Sequence, residues 1–127
     1  MHRVPLILAL LTLTPACGSA AAPDQSTPEG TLQAVFDAAR TGDDTFLASL
    51  CSATAGGDGD TKRICATKKG SPDWDKFVVV FKDGKLSGGT SIDRQEAKVP
   101  FKFGPGGQND ETMRLKQVDG KWYLGSF

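Results

Sequence analysis

Few side chains in this sequence could do covalent chemistry. It holds three cysteines, Cys17, Cys51 and Cys65, and one histidine, His2. His2 lies in an N-terminal segment expected to leave on export. The remainder has no histidine, which excludes Ser-His-Asp and Cys-His nucleophile systems. Zinc hydrolysis is excluded for want of nitrogen ligands. Gly104-Pro105-Gly106-Gly107 lacks the lysine and the strand–helix setting of a phosphate loop. Ala55-Gly56-Gly57-Asp58-Gly59-Asp60 lacks the alternating ligands and final glutamate of a calcium loop, so it is read as a flexible loop. A carboxylate acting beside a tyrosine remains. The sole tyrosine, Tyr123, points by alternation away from Trp122 and Leu124, and nothing places a carboxylate near it. Asp43 and Asp44 suit the start of a helix, and Asp37 the wet face of one. No catalytic residue, metal ligand or cofactor is assigned.

The cysteines speak to compartment. With Cys17 removed or modified, Cys51 and Cys65 form an even pair, as expected of a disulfide in an oxidising space. They close a loop of 15 residues, worth ~3 kcal/mol in the chain-entropy account. Free thiols or metal ligands are the rival readings. Met1-His2-Arg3 is a short positive head, and residues 4–13 are almost wholly apolar. That run is shorter than the ~20 residues a membrane helix needs. It fits the apolar region of a secretory signal. A buried N-terminal helix is the rival, opposed by the small-residue linker of residues 14–23.

Leu13-Thr14-Pro15-Ala16-Cys17-Gly18-Ser19 resembles the lipobox of bacterial lipoproteins, which are cut before a cysteine diacylated on sulfur. Ala16 and Cys17 match it. Thr14 and Pro15 depart from it, since the leucine stands four residues before the cysteine rather than three. The alternative is an ordinary cut after Ala20 or Ala21. The resemblance implies a signal peptide over residues 1–16, a lipid anchor and tether over 17–26, and one domain over 27–127. It places the protein in the cell envelope, held to the membrane by lipid on Cys17. Gly18 carries no acidic retention signal, which points to the outer membrane facing the periplasm. An unlipidated chain would be periplasmic or secreted.

From Cys17 the chain has 111 residues, enough for one domain. Removing Arg3 from the 15 basic residues leaves 14 against 15 acidic, a net charge of −1. Read along the chain, no basic stripe suggests nucleic acid, and no polybasic patch suggests anionic lipid.

Several elements must position these residues. Ser26-Thr27-Pro28-Glu29 predicts a helix start, with Ser26 as N-cap and Glu29 completing a capping box. Leu32, Val35, Phe36 and Ala39 form one helical face, and Gly42 ends it. Asp43-Asp44 opens a short second helix whose inner face is Phe46, Leu47, Leu50 and Cys51. Residues 61–68 predict one or two further turns carrying Ile64 and Cys65.

Beyond Pro72 the pattern changes. Phe77-Val78-Val79-Val80-Phe81 predicts a strand, and Lys82-Asp83-Gly84-Lys85 a tight hairpin. Residues 86–92 predict a weak second strand bent at Gly88-Gly89. Ala97, Val99, Phe101 and Phe103 alternate with Lys98, Pro100 and Lys102, so that strand has one buried and one wet face. Pro100 requires an edge or a gap in the ladder. Residues 112–118 form a strand with Met113 and Leu115 inward. Asp119-Gly120 turns it into a last strand, Lys121-Trp122-Tyr123-Leu124. Helices followed by about five antiparallel strands make an α+β fold.

The opening, from Ser26-Thr27-Pro28-Glu29 through Phe36-Asp37-Ala38-Ala39-Arg40-Thr41-Gly42-Asp43, resembles that of bacterial NTF2-like lipoproteins of the cystatin-like superfamily. The closing Asp119-Gly120-Lys121-Trp122-Tyr123-Leu124 resembles their terminal hairpin. The likeness covers about 40 residues at the two ends. It implies N-terminal helices packed on a curved antiparallel sheet, a conical pocket, and a homodimer through the exposed sheet face.

Phe36, Phe77, Phe101, Phe103 and Trp122 are expected mostly in the core. Phe36, Phe101, Phe103, Trp122 and Tyr123 are also the candidates for lining a pocket. Trp74, set among charges, is either an exposed contact or a lid folded onto the sheet. Two functions are in view. One is a non-catalytic envelope module binding an unidentified partner. The other is a pocket for a small apolar ligand, with lone-carboxylate catalysis as a variant.

Denaturing, unreduced mass spectrometry of the exported full-length product is expected to show an acylated Cys17 at the N-terminus and a two-hydrogen deficit. An unacylated product beginning at Ala21 or Ala22 would refute the anchor.

Overall fold

The computed structural model describes residues 22–127; Cys17 and the signal segment lie outside the described residues. Three helices pack on one face of a five-stranded antiparallel sheet, an α+β fold. The sheet is open.

Helix α1 spans Pro28–Thr41. Its N-cap is Thr27, whose hydroxyl accepts the Gly30 N–H at 3.0 Å. This corrects Ser26 as the cap. Ser26 instead donates its N–H and hydroxyl to the Asp24 carboxylate, so the chain enters the helix one residue later. Glu29 then comes one residue too early to complete a capping box. Gly42 closes the helix at φ 72°, its N–H donated to Ala38. Leu32, Val35, Phe36 and Ala39 are buried, as their spacing predicts.

The second helix is shorter than expected, a 3₁₀ turn over Leu47–Leu50. The Asp43 carboxylate accepts from Thr45, and that of Asp44 from the distant Lys69 N–H at 2.8 Å. Both aspartates thus hold loops in place of starting a regular helix. Helix α2, Gly59–Ala66, begins at the N-cap Asp58, which accepts the Thr61 N–H at 2.8 Å.

Helix α3, Pro72–Phe81, occupies the place of the predicted first strand. The start signal at Ser71-Pro72-Asp73 prevails over the strand preference of the run 77–81. Pro72 sits in the first turn with Asp73 and Asp75, where their charges favour the helix dipole. Trp74, Phe77 and Phe81 then fall at helical spacing and are buried. Val79, in the middle of the apolar run, is 49% exposed. A strand would place Phe77, Val79 and Phe81 on one face; the helix separates them.

Asp83-Gly84 is therefore a helix exit and no hairpin. The Gly84 N–H bonds the Phe81 carbonyl at 2.9 Å. A Cβ at Gly84 would lie 2.2 Å from the Phe36 ring, so only glycine lets the chain pass α1 there.

The predicted strand over 86–92 is two short pieces, β1 at Lys85–Leu86 and β2 at Ser91–Asp93. Both pair with β3, Glu96–Phe103, which pairs with β4, Asn109–Val118, and β4 with β5, Lys121–Ser126. Pro100 lies between the β1 and β2 pairings. Its carbonyl accepts the Ser87 N–H at 3.0 Å, so its nitrogen faces the break where no ladder bond is required. Asp119 (φ 51°) and Gly120 (φ 79°) make the β4–β5 turn.

Ala97, Val99, Phe101, Met113, Leu115, Trp122 and Leu124 form the inner face under α1 and α3. Phe36 meets Phe101 at 5.9 Å and Phe81 at 6.5 Å between ring centres.

Phe36→Ala is expected to cost ~3–5 kcal/mol in denaturant unfolding. Val79→Ala is expected to stay within about 0.5 kcal/mol, as an exposed helical site should. A large loss at Val79 would contradict the helical placement of residues 72–81.

Candidate functional site

The cysteines behave as their count predicts. Cys51 and Cys65 form a disulfide with Cα atoms 6.1 Å apart. It ties the end of the 3₁₀ turn to the inner face of α2. Thr61, fully buried on that same face, donates its hydroxyl to the Gly125 carbonyl of β5 at 3.0 Å. Helix α2 is thus held to its neighbours at two points.

The six candidate pocket or contact residues do not converge on one site. Phe36 and Phe101 are wholly buried against each other, and Trp122 is buried on the inner face towards the other end of the sheet, across the ladder from Gln117. Phe103 is half-buried at the end of β3, its ring 5.6 Å from Phe101. Trp74 is 9% exposed and packs on Phe77 at 5.3 Å. Its placement as an exposed contact is corrected: helix α3 turns it inward. Tyr123 lies on the opposite face from Trp122, as alternation requires, with Lys116 across the ladder.

The interior of the fold is filled by these side chains; the open space lies elsewhere. A groove of about 740 Å³ runs between α2 and α3. Its apolar wall is Ile64, Phe77, Val80, Phe81 and Phe127. Asp60, Arg63, Asp73 and Lys76 stand around it, two charges of each sign. Arg63 lies 3.9 Å from Asp60 in an exposed pair. The volume falls within the ~300–1,000 Å³ typical of small-molecule sites. A smaller groove, about 290 Å³, lies between α1 and the 3₁₀ turn, lined by Ala34, Ala38, Phe46 and Leu47 beside Asp37 and Asp43.

Several acidic groups have structural partners. Asp58 caps α2. Asp37 pairs with Arg40 on the wet face of α1. Among the described residues, no three of His, Cys, Asp and Glu are grouped as a metal site. Two carboxyls are held below the usual aspartate range. Hydrogen bonds from the Ser26 hydroxyl and then its N–H lower Asp24, and those from the Thr45 hydroxyl and N–H lower Asp43. Both anchor turns, Asp24 exposed and Asp43 half-buried, and both are ionised at neutral pH.

The α2–α3 groove was missed in the sequence because its wall depends on α3. The available signal was Ser71-Pro72-Asp73 as a helix start, followed by Trp74, Phe77 and Phe81 at helical spacing. No protein-family model, curated protein or solved structure matches this chain.

A depressed carboxyl pKa lends stability that is present above the ordinary value near 3.8 and lost as pH falls through the lowered one. In carbon-detected NMR titration, Asp43 is expected to titrate below 3.8 and to move up in Thr45→Val, which removes the hydroxyl donor. An unchanged midpoint in that variant would contradict the assigned cause.

Proposed function

We propose that this chain is a non-catalytic binding module of the cell envelope, held at the membrane by lipid on Cys17, and that the groove between α2 and α3 is where it takes its ligand. The observation that carries the reading is the groove itself. It is open to solvent, walled by aromatic and aliphatic side chains, and rimmed by charges of both signs. Such a surface suits a small molecule with an apolar body and polar ends. This favours the small apolar-ligand reading, relocated from the interior to the helical side.

Two further points support a binding role. The groove is preformed on the α2 side, because α2 is tied by the disulfide and by Thr61, and a rigid site loses less entropy on binding. Asp24, Asp37, Asp43 and Asp58 serve as caps, turn anchors and surface ion pairs. The order of long helix, short helices and antiparallel strands supports the NTF2-like affinity of the fold.

Val80→Trp is expected to fill the groove. The full chain from native membranes, examined by native mass spectrometry, is expected to retain a small apolar molecule. A fluorescent acyl probe is expected to bind the same chain and to lose about tenfold or more in affinity in Val80→Trp. Val79→Trp, on the exposed side of the same helix, is expected to bind as the parent does. Equal binding by all three chains, or equal loss in both variants, would refute the groove as the ligand site.

A further inference from the structure

The ladder gathers charge that the linear sequence disperses. Residues 22–81, mostly helical, hold six basic and nine acidic side chains; residues 82–127, mostly sheet, hold eight basic and six acidic. Alternation sends every second strand residue to the face away from the helices. There Lys98 of β3 stands directly opposite Arg114 of β4, and Lys116 follows Arg114 on the same face. All three are exposed.

Like charges directly opposite in a sheet repel each other. Lys102, the next lysine on this face, is neutralised by Asp110 at 2.8 Å. Among the described residues, neither Lys98 nor Arg114 has a carboxylate oxygen within ion-pair distance.

The backbone is irregular at the same place. Leu115 pairs with Leu124 but Arg114 pairs with Ser126, leaving Gly125 as the extra residue of a bulge. A Cβ on Gly125 would lie 2.7 Å from the Arg114 carbonyl, so β5 closes on β4 at Arg114 only through glycine. Bulges re-aim the side chains beside them. Two adjoining clefts, about 490 and 400 Å³, share Lys98, Arg114 and Ser126 in their walls. Lys116 and the Gly56-Gly57 backbone complete the first, and Thr112 the second. Three carboxylates also line the clefts: Asp58, which caps α2, Glu96 opposite Lys116, and Glu111 on β4.

We propose that the Lys98–Arg114 pair at this bulge is a binding site for a phosphate-type oxyanion. The anion relieves the repulsion between the two cations. The Arg114 guanidinium offers a planar fork of donors that matches two phosphate oxygens, and Lys98 a mobile point charge. Ser126 and Thr112 place hydroxyl donors in the same clefts. The proposal stands on the sheet alone and is independent of the α2–α3 groove. The same cations oppose a second copy of this chain packing on that face.

The test uses the full chain in neutral detergent, titrated with inorganic phosphate at constant ionic strength and followed in every variant by NMR of the backbone N–H groups of β3 and β4, with the Arg114 side-chain N–H groups as a second reporter where that residue is kept. A saturable shift at Arg114 is expected. Lys98→Gln and Arg114→Gln are each expected to weaken binding by about tenfold, as for loss of a charge-assisted hydrogen bond. Lys121→Gln, on the same face but away from the pair, is expected to bind as the parent does. In low salt without phosphate, Lys98→Gln is expected to melt above the parent, because the repulsion is gone. A second titration replaces phosphate with detergent doped with phosphatidylglycerol. Saturation by phosphate alone identifies a soluble ligand; saturation only with the lipid, lost in Arg114→Gln, identifies a headgroup. A response linear in both probes, or one unchanged in both Lys98→Gln and Arg114→Gln, overturns the proposal.

Discussion

The fold depends on one ring. Phe36 projects from the middle of α1 and meets Phe101 from the sheet and Phe81 from α3. The backbone at Gly84 presses directly against it, at a distance that leaves no room for any side chain. Helix α1, helix α3 and the sheet are therefore registered on a single side chain. Helix α1 can sit on the sheet only where Phe101 receives the ring, and α3 can return to the sheet only through a glycine. Both surfaces of interest follow from this arrangement. Fixing α3 creates one wall of the apolar groove, and packing the inner face of the sheet sends its cations outward.

What could be read in the sequence divides along the same line. Helix α1, the face of β3 from Ala97 to Phe101, the Asp119-Gly120 turn and the Cys51–Cys65 bridge were all legible, because each is set by local spacing or pairing chemistry. The α+β class followed from their order. Helix α3 was not legible as a helix. Val78, Val79 and Val80 favour a strand by their own preference, and tertiary packing of Trp74, Phe77 and Phe81 against α1 decides otherwise. The open choice for Trp74, exposed contact or folded inward, is settled by the same helix, which turns it inward. The cationic pair was hidden for a different reason. Lys98 and Arg114 lie 16 positions apart, and only the register of β3 on β4 makes them neighbours.

The disulfide has a role that its loop length does not convey. Eight residues make a marginal helix on their own. Helix α2 persists because Cys65 is bonded to Cys51, Asp58 caps it, and Thr61 reaches across to β5. The outer wall of the groove is consequently linked to thiol oxidation. Without the bridge, α2 would rest on the Asp58 cap and the Thr61 hydrogen bond alone.

The margins of the sheet complete the picture. On the free side of β5, the Trp122 N–H donates to the Gln25 carbonyl, and the Gly125 carbonyl accepts the Asp58 N–H. Thr31 and the Gln25 side chain also reach the Trp122 carbonyl. The opposite margin is broken into strands of two and three residues on either side of Gly88-Gly89. Neither border offers the long row of unpaired backbone groups that templates strand addition from another chain. Copies brought close together are therefore not joined edge to edge into one continuous cross-molecular sheet.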